Sequence, residues 1–383
     1  CYGNMDREIA VDMSAEEEET AAPETEVLEG PCKEPLARRR NVLAYWLYSV
    51  TLMVIAMVVI GGLTRLTNSG LSMVEWRPLT GWLPPLSEVD WMLVFEKYKT
   101  SPEYQKINVG MSLLEFKGIF WLEYLHRLWG RVIGVVFLVP FIVFVACGWV
   151  NWHLGIRLLG LFILGGLQGG LGWYMVQSGL LDRPDVSQYR LAAHLGLALV
   201  IIAALFWTAR GLSRTYREGW EFIDPNSLIG LRHGACLVLL AVFVTAFSGA
   251  LVAGLNAGLA YNTFPLMDGN WVPEGLFTMM PPYLNVFENT ITVQFDHRVL
   301  ALSTAALVVL FWTATRRYKI PPSAGLAIHC LLLAVIAQVG LGITTLLLVV
   351  PLKYAAAHQG GAVLLLICAV WLLRELTPPS KQV

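Results

Sequence analysis

The chain has 383 residues, of which 56% are hydrophobic and 14% charged, with a formal net charge of −1. That balance excludes an ordinary soluble domain, in which about a quarter of residues carry charge. A total near zero also gives no basic footprint for nucleic acid.

Residues 1–40 are acidic, with a Glu16 to Glu19 run and few aromatics, and read as a disordered tail. The first residue is Cys1 rather than Met. A targeting segment removed from upstream is the expectation. Val42 to Leu63 then runs 22 residues without a charge, and Gly234 to Leu255 runs another 22. About 20 such residues cross a bilayer core of roughly 30 Å. Similar runs follow at about 128–150, 158–177, 191–209, 298–315, 324–350 and 354–373. The expected fold is an all-α integral membrane protein, with eight transmembrane helices in two pseudo-symmetric four-helix bundles. The bundles occupy 41–215 and 233–375, joined by a linker at 216–232, with a short tail at 376–383.

Charge distribution orients the chain. Arg38, Arg39, Arg40, Arg157, Arg210, Arg214, Arg217, Arg232, Arg316, Arg317, Lys319 and Arg374 fall on the side that holds the N-terminal tail, whereas 256–290 has no Lys or Arg. The positive-inside rule therefore puts both termini inside. The first outer segment, 65–117, is long and rich in Trp and Pro, as a lid or docking surface is. Cys147, Cys236, Cys330 and Cys368 read as small apolar packing residues.

The two halves repeat words in the same order. Asn68-Ser-Gly70-Leu71 is echoed by Asn256-Ala-Gly258-Leu259, and Glu123-Tyr-Leu-His126-Arg127 by Gln294-Phe-Asp-His297-Arg298. Gln168-Gly-Gly-Leu-Gly172 matches Gln338-Val-Gly-Leu-Gly342, and Ala192-Ala-His194 matches Ala356-Ala-His358. Each histidine stands near the outer start of helix 2, 4, 6 or 8. In an up-down-up-down bundle, helices 2 and 4 are diagonal and parallel. His126 is thus expected to face His194, and His297 to face His358. Two facing imidazoles suit a haem iron, whereas zinc wants a tetrahedral Cys, His and carboxylate set that does not cluster here. His153, His233 and His329 lack repeat partners and read as interfacial.

Glu123 lies three residues before His126 and shares its helix face. Its counterpart Gln294 cannot titrate. A carboxylate near the membrane core is a functional hypothesis by default, suited to proton transfer. Arg127 and Arg298 follow their histidines on the side where positive-inside bias does not account for them. Haem propionates would need such cations, although lipid headgroups would also hold them. Glu115 and Lys117 read as a surface pair.

These words resemble the haem A synthase family, in particular its mitochondrial form. The resemblance rests on Gly61-Gly-Leu-Thr-Arg65-Leu-Thr-Asn-Ser-Gly70, on Glu115 to Arg127, and on the words around His194, His297 and His358, and it covers roughly 41–375. Some bacterial members carry a cysteine pair in the first outer loop, and 65–117 has none. The resemblance implies oxidation of the C8 methyl group of haem O to the formyl group of haem A, destined for cytochrome c oxidase. It implies substrate haem between His126 and His194, haem b between His297 and His358, and Glu123 beside the reacting methyl. It also implies the mitochondrial inner membrane with both termini in the matrix. Compatible partners are a ferredoxin-type electron donor or acceptor, haem O synthase, cytochrome c oxidase assembly factors and a second copy of the chain. Two other readings stay open: a dihaem cytochrome b-type electron carrier, and a haem-handling assembly factor without catalysis.

Overall fold

The structure, a computed structural model, describes residues 35–76, 80–181, 186–213, 220 and 223–378. Eight of its helices are long and apolar enough to cross a membrane, and no strand occurs among the described residues. They are α1 (Leu36–Leu66), α2 (Leu113–Ala146), α3 (Trp152–Leu181), α4 (Gln188–Ser213), α5 (Ile229–Gly254), α6 (Thr290–Thr315), α7 (Pro322–Leu347) and α8 (Leu352–Leu376). The protein is an all-α, multi-pass membrane protein.

Several boundaries differ from the sequence reading, two of them with consequences for the site. The tail assigned to 1–40 lies outside the described residues except for its end, where α1 already begins at Leu36. Helix α2 starts at Leu113 rather than near 128, because Ser112 and Glu115 form a capping box ahead of the apolar run. His126 therefore lies more than three turns inside its helix, unlike His194, His297 and His358, each about two turns from a start. Part of the linker at 216–232 lies outside the described residues. Its end is helical, a turn at Pro225–Leu228 leading into α5 at Ile229.

Helix α1 packs on α2, α4 and α8, α3 packs on α2 and α4, α5 packs on α4, α6 and α8, and α7 packs on α6 and α8. The largest apolar core draws on both halves: Val58 of α1, Leu199 and Ile202 of α4, Val238 of α5, Val308 of α6, Leu331 of α7 and Leu366 of α8. A second core joins Leu47 and Val50 of α1 to Phe137, Leu158 and Leu205. The second lies in the portion of the helices nearer the termini, and the first runs from there past their middle. The histidines stand in the other portion, toward the long loops.

Polar ties close each end. Near the termini, Arg210 Nε donates to Glu375 Oε1 at 2.6 Å, and Ser323 Oγ donates to Glu375 Oε2 at 2.6 Å. At the loop end, Arg65 donates to the carbonyl of Ala253 and to Asn256 Oδ1, bridging the halves. Asn68 and Asn256 both take left-handed backbone conformations, φ 50° and 51°. That explains why the repeat keeps asparagine there, since its short amide tolerates the conformation at a helix end. Inside α2, Pro140 cannot donate to the carbonyl of Val136. Trp46 Nε1 of α1 donates to that carbonyl at 2.9 Å instead. Over the loop end, Trp91, Phe95 and Tyr98 of the helix Glu88–Lys99 pack on Phe116, Phe120 and Tyr124 of α2.

Candidate functional site

The four repeated histidines come together as two pairs. His126 and His194 lie close enough for a charge on one to act on the other, and so do His297 and His358. Each ring faces a glycine of a neighbouring helix: His126 against Gly61 of α1, His194 against Gly172 of α3, His297 against Gly249 of α5, and His358 against Gly342 of α7. A Cβ added at any of the four would lie 2.8–3.2 Å from a ring atom. Glycine is therefore required by a close approach, and it repeats wherever the histidine repeats.

The rings differ in what holds them. Gln168 Nε2 lies 3.2 Å from His194 Nδ1 and donates to the His194 backbone oxygen at 3.0 Å. Gln338 repeats both contacts on His358, at 3.1 and 2.8 Å. His297 Nδ1 lies 2.8 Å from Ser248 Oγ, whose own proton is donated to the carbonyl of Thr245. The serine oxygen is thus left to accept from Nδ1–H, the tautomer that frees the ring's Nε2 for a metal.

Glu123 is 2% exposed. Its Oε2 accepts from Ser72 Oγ at 2.7 Å and from the backbone N–H of Met73 at 2.8 Å, and its Oε1 accepts from Arg127 at 2.5 Å. Glu123 is thus an ion-paired carboxylate that clips the first outer segment onto α2. The equivalent Gln294 donates Nε2 to the carbonyl of Tyr261 at 3.0 Å, and its Oε1 is buried without a partner.

Arg127 donates to the carbonyls of Met73 and Glu75, and Arg298 to those of Tyr261 and Thr263. Both arginines are therefore loop clamps before they are anything else. Arg298 Nε is buried without a hydrogen-bond partner among the described residues. The expected Glu115–Lys117 pair is not formed: Glu115 caps α2 at Ser112, and Lys117 lies over the Trp91 ring. His153, His233 and His329 are exposed and apart from the pairs. Cys236, expected inside, is exposed.

Among the described residues no three His, Cys, Asp or Glu side chains cluster as a metal site. The sequence reading missed Ser72 and Ser248, and gave Gln168, Gln338 and the four glycines no role. The repeated words contained part of the signal, since Gln168 and Gly172, like Gln338 and Gly342, stand four apart on one helix face.

The profile of the cytochrome oxidase assembly protein family matches residues 44–370. A haem A synthase of Nitrosospira multiformis is 54% identical over 335 residues, 87% of this chain and 93% of that protein. The haem A synthase of Bos taurus is 45% identical over 353 residues, 91% of this chain and 85% of that protein. That of Arabidopsis thaliana is 45% identical over 343 residues, 88% and 75% respectively. With its paired histidines, opposed glycines and single clamped carboxylate, the chain belongs to the haem A synthase family.

Proposed function

We propose that the first half holds haem O between His126 and His194 and oxidises its C8 methyl group, through a hydroxymethyl stage, to the formyl group of haem A. The second half holds haem b between His297 and His358. The observation that carries this reading is the duplicated pair of glycine-backed histidines with a carboxylate, Glu123, in one half and an amide, Gln294, in the other.

When bound in the second half, haem b supplies one-electron transfer. The chain's own residues orient and exchange protons. Gln168 fixes the His194 ring, and Ser248 and Gln338 fix those of His297 and His358. The Glu123 carboxylate, held by Ser72, Met73 and Arg127, takes and returns a proton beside the reacting methyl. Arg298 offers its free Nε–H to a propionate. The arginine-rich end carrying Arg38 to Arg40, Arg210, Arg316, Arg317 and Arg374 faces the matrix across the mitochondrial inner membrane. A ferredoxin-type partner exchanges electrons with the protein, and the product passes toward cytochrome c oxidase.

The test is extraction and chromatography of haems from the full chain expressed in membranes supplied with haem O. Haem A and its hydroxylated precursor beside haem B are expected. Haem B alone, with haem O present, overturns the synthase reading in favour of an electron carrier.

A further inference from the structure

Three of the four histidines are pinned at Nδ1, and one is not. His194 meets Gln168, His297 meets Ser248 and His358 meets Gln338. Among the described residues, His126 makes no hydrogen bond. The repeat shows why. Gly61 corresponds to Gly249, so the place of Ser248 is taken in the first half by Ile60, which has no hydroxyl. The pose differs as well. A methyl built at Gly61 would meet His126 first at Nε2, 3.2 Å away, whereas at the other three glycines the nearest ring atom is Cε1.

A partner at Nδ1 fixes the orientation of an imidazole, and one that accepts from Nδ1–H, as Ser248 Oγ does and as the partnerless Oε1 of Gln168 or Gln338 would with the amide turned, also raises its basicity, which strengthens and immobilises the metal bond. A ring without one turns at little cost. Resting on the two-haem reading above, we infer that His126 is the exchangeable axial ligand of the substrate haem, with His194 its permanent one, and that Ser248 and Gln338 make both ligands of the second haem permanent. In the exchange, the iron–Nε2 bond of His126 breaks and a bond to an incoming small ligand forms, with no electron transferred. The first half then has one open face, and the second half has none. This assigns Ile60 and Ser248, a single swap between the halves, as the positions that set reactivity against electron relay.

The inference is tested with the full chain in detergent, loaded with both haems and reduced. Carbon monoxide is the probe; optical spectra of the reduced protein and electron paramagnetic resonance spectra of the oxidised protein are the readout. In the parent protein carbon monoxide is expected on the first-half haem only. His126→Ala is expected to keep that haem in a five-coordinate, high-spin state, whereas His194→Ala loses it. Ile60→Ser, which gives His126 an acceptor, is expected to slow carbon monoxide binding by about tenfold, as one added hydrogen bond allows. Ser248→Ile is expected to open the second haem to carbon monoxide. The low-spin signature of the second haem reports intact folding in the first-half variants. Equal carbon monoxide binding by both haems, loss of haem from His126→Ala but not from His194→Ala, or unchanged rates in both Ile60→Ser and Ser248→Ile overturns the inference. A chain that binds no haem in either half overturns the two-haem reading itself.

Discussion

Replacing Glu123 by Gln removes one charge and leaves the shape of the side chain almost unchanged. Removing one partner of a buried ion pair ordinarily costs about 3–5 kcal/mol, because the other charge is stranded. Here Arg127 keeps the carbonyls of Met73 and Glu75 and stays over the Trp76 ring, 5.1 Å from its centroid. The second half already contains the substituted arrangement: Gln294 donates to Tyr261, and Arg298 rests on Tyr261 and Thr263 with no carboxylate partner among the described residues. The loss therefore reduces to one acceptor oxygen, since an amide cannot accept from both Ser72 and Met73 on one side and Arg127 on the other. A hydrogen bond to a charged group is worth about 1.5–3 kcal/mol, and that is the expected destabilisation. Haem bound per chain should stay near the parent value. Formyl formation should fall about 100-fold or more, the usual contribution of a positioned acid–base group. Absorption spectra measure the first quantity, and chromatography of extracted haems measures the second. Haem A formed at the parent rate would refute the proton-transfer role. Loss of first-half haem together with activity would show that Glu123 is only a loop clamp.

Two further substitutions test the packing. Gly342→Ala puts a methyl 2.8 Å from Cε1 of a His358 ring that Gln338 holds, so the ring cannot yield. Overpacking of this kind costs about 1–3 kcal/mol, and haem retention in the second half should fall well below that of Gly61→Ala, where the contact is 3.2 Å and His126 is free to turn. Equal retention, read from reduced spectra, contradicts the account. Trp46→Phe orphans the Val136 carbonyl above Pro140 and should cost about 1–3 kcal/mol in thermal unfolding. Adding Pro140→Ala restores a helical N–H and should recover much of it, and a double variant no more stable than Trp46→Phe refutes that cause.

The eight spans were legible because the bilayer demands long uncharged runs, and the histidine pairs were legible because duplication copied whole words. The start of α2 was not, since a polar capping box at Ser112 and Glu115 extends the helix well beyond its apolar run. Nor was the state of Glu123. Its donors Ser72 and Met73 stand some fifty residues earlier, in a loop whose path no periodicity reveals. The glycines were visible as letters, but their meaning required the neighbouring helix. A ring against a backbone is a contact between α1 and α2, or α7 and α8, and one-dimensional spacing does not contain it.

The same comparison of halves shows how duplication can yield two unlike sites from one scaffold. The arginine clamps, the left-handed asparagines and the opposed glycines are common to both halves, so none of them distinguishes the sites. Two of the differences bear directly on the sites: a carboxylate for an amide at 123 and 294, and an isoleucine for a serine at 60 and 248. The first places a charge on a ligand helix, and the second removes the bond that steadies a ligand. The halves are also not independent. Gln359, beside His358, donates to the carbonyl of Val58 and fills the space over Gly62, next to the Gly61 that backs His126. A shift of the second-half ligand helix is therefore transmitted to the wall behind the unpinned histidine, through one side chain and one glycine.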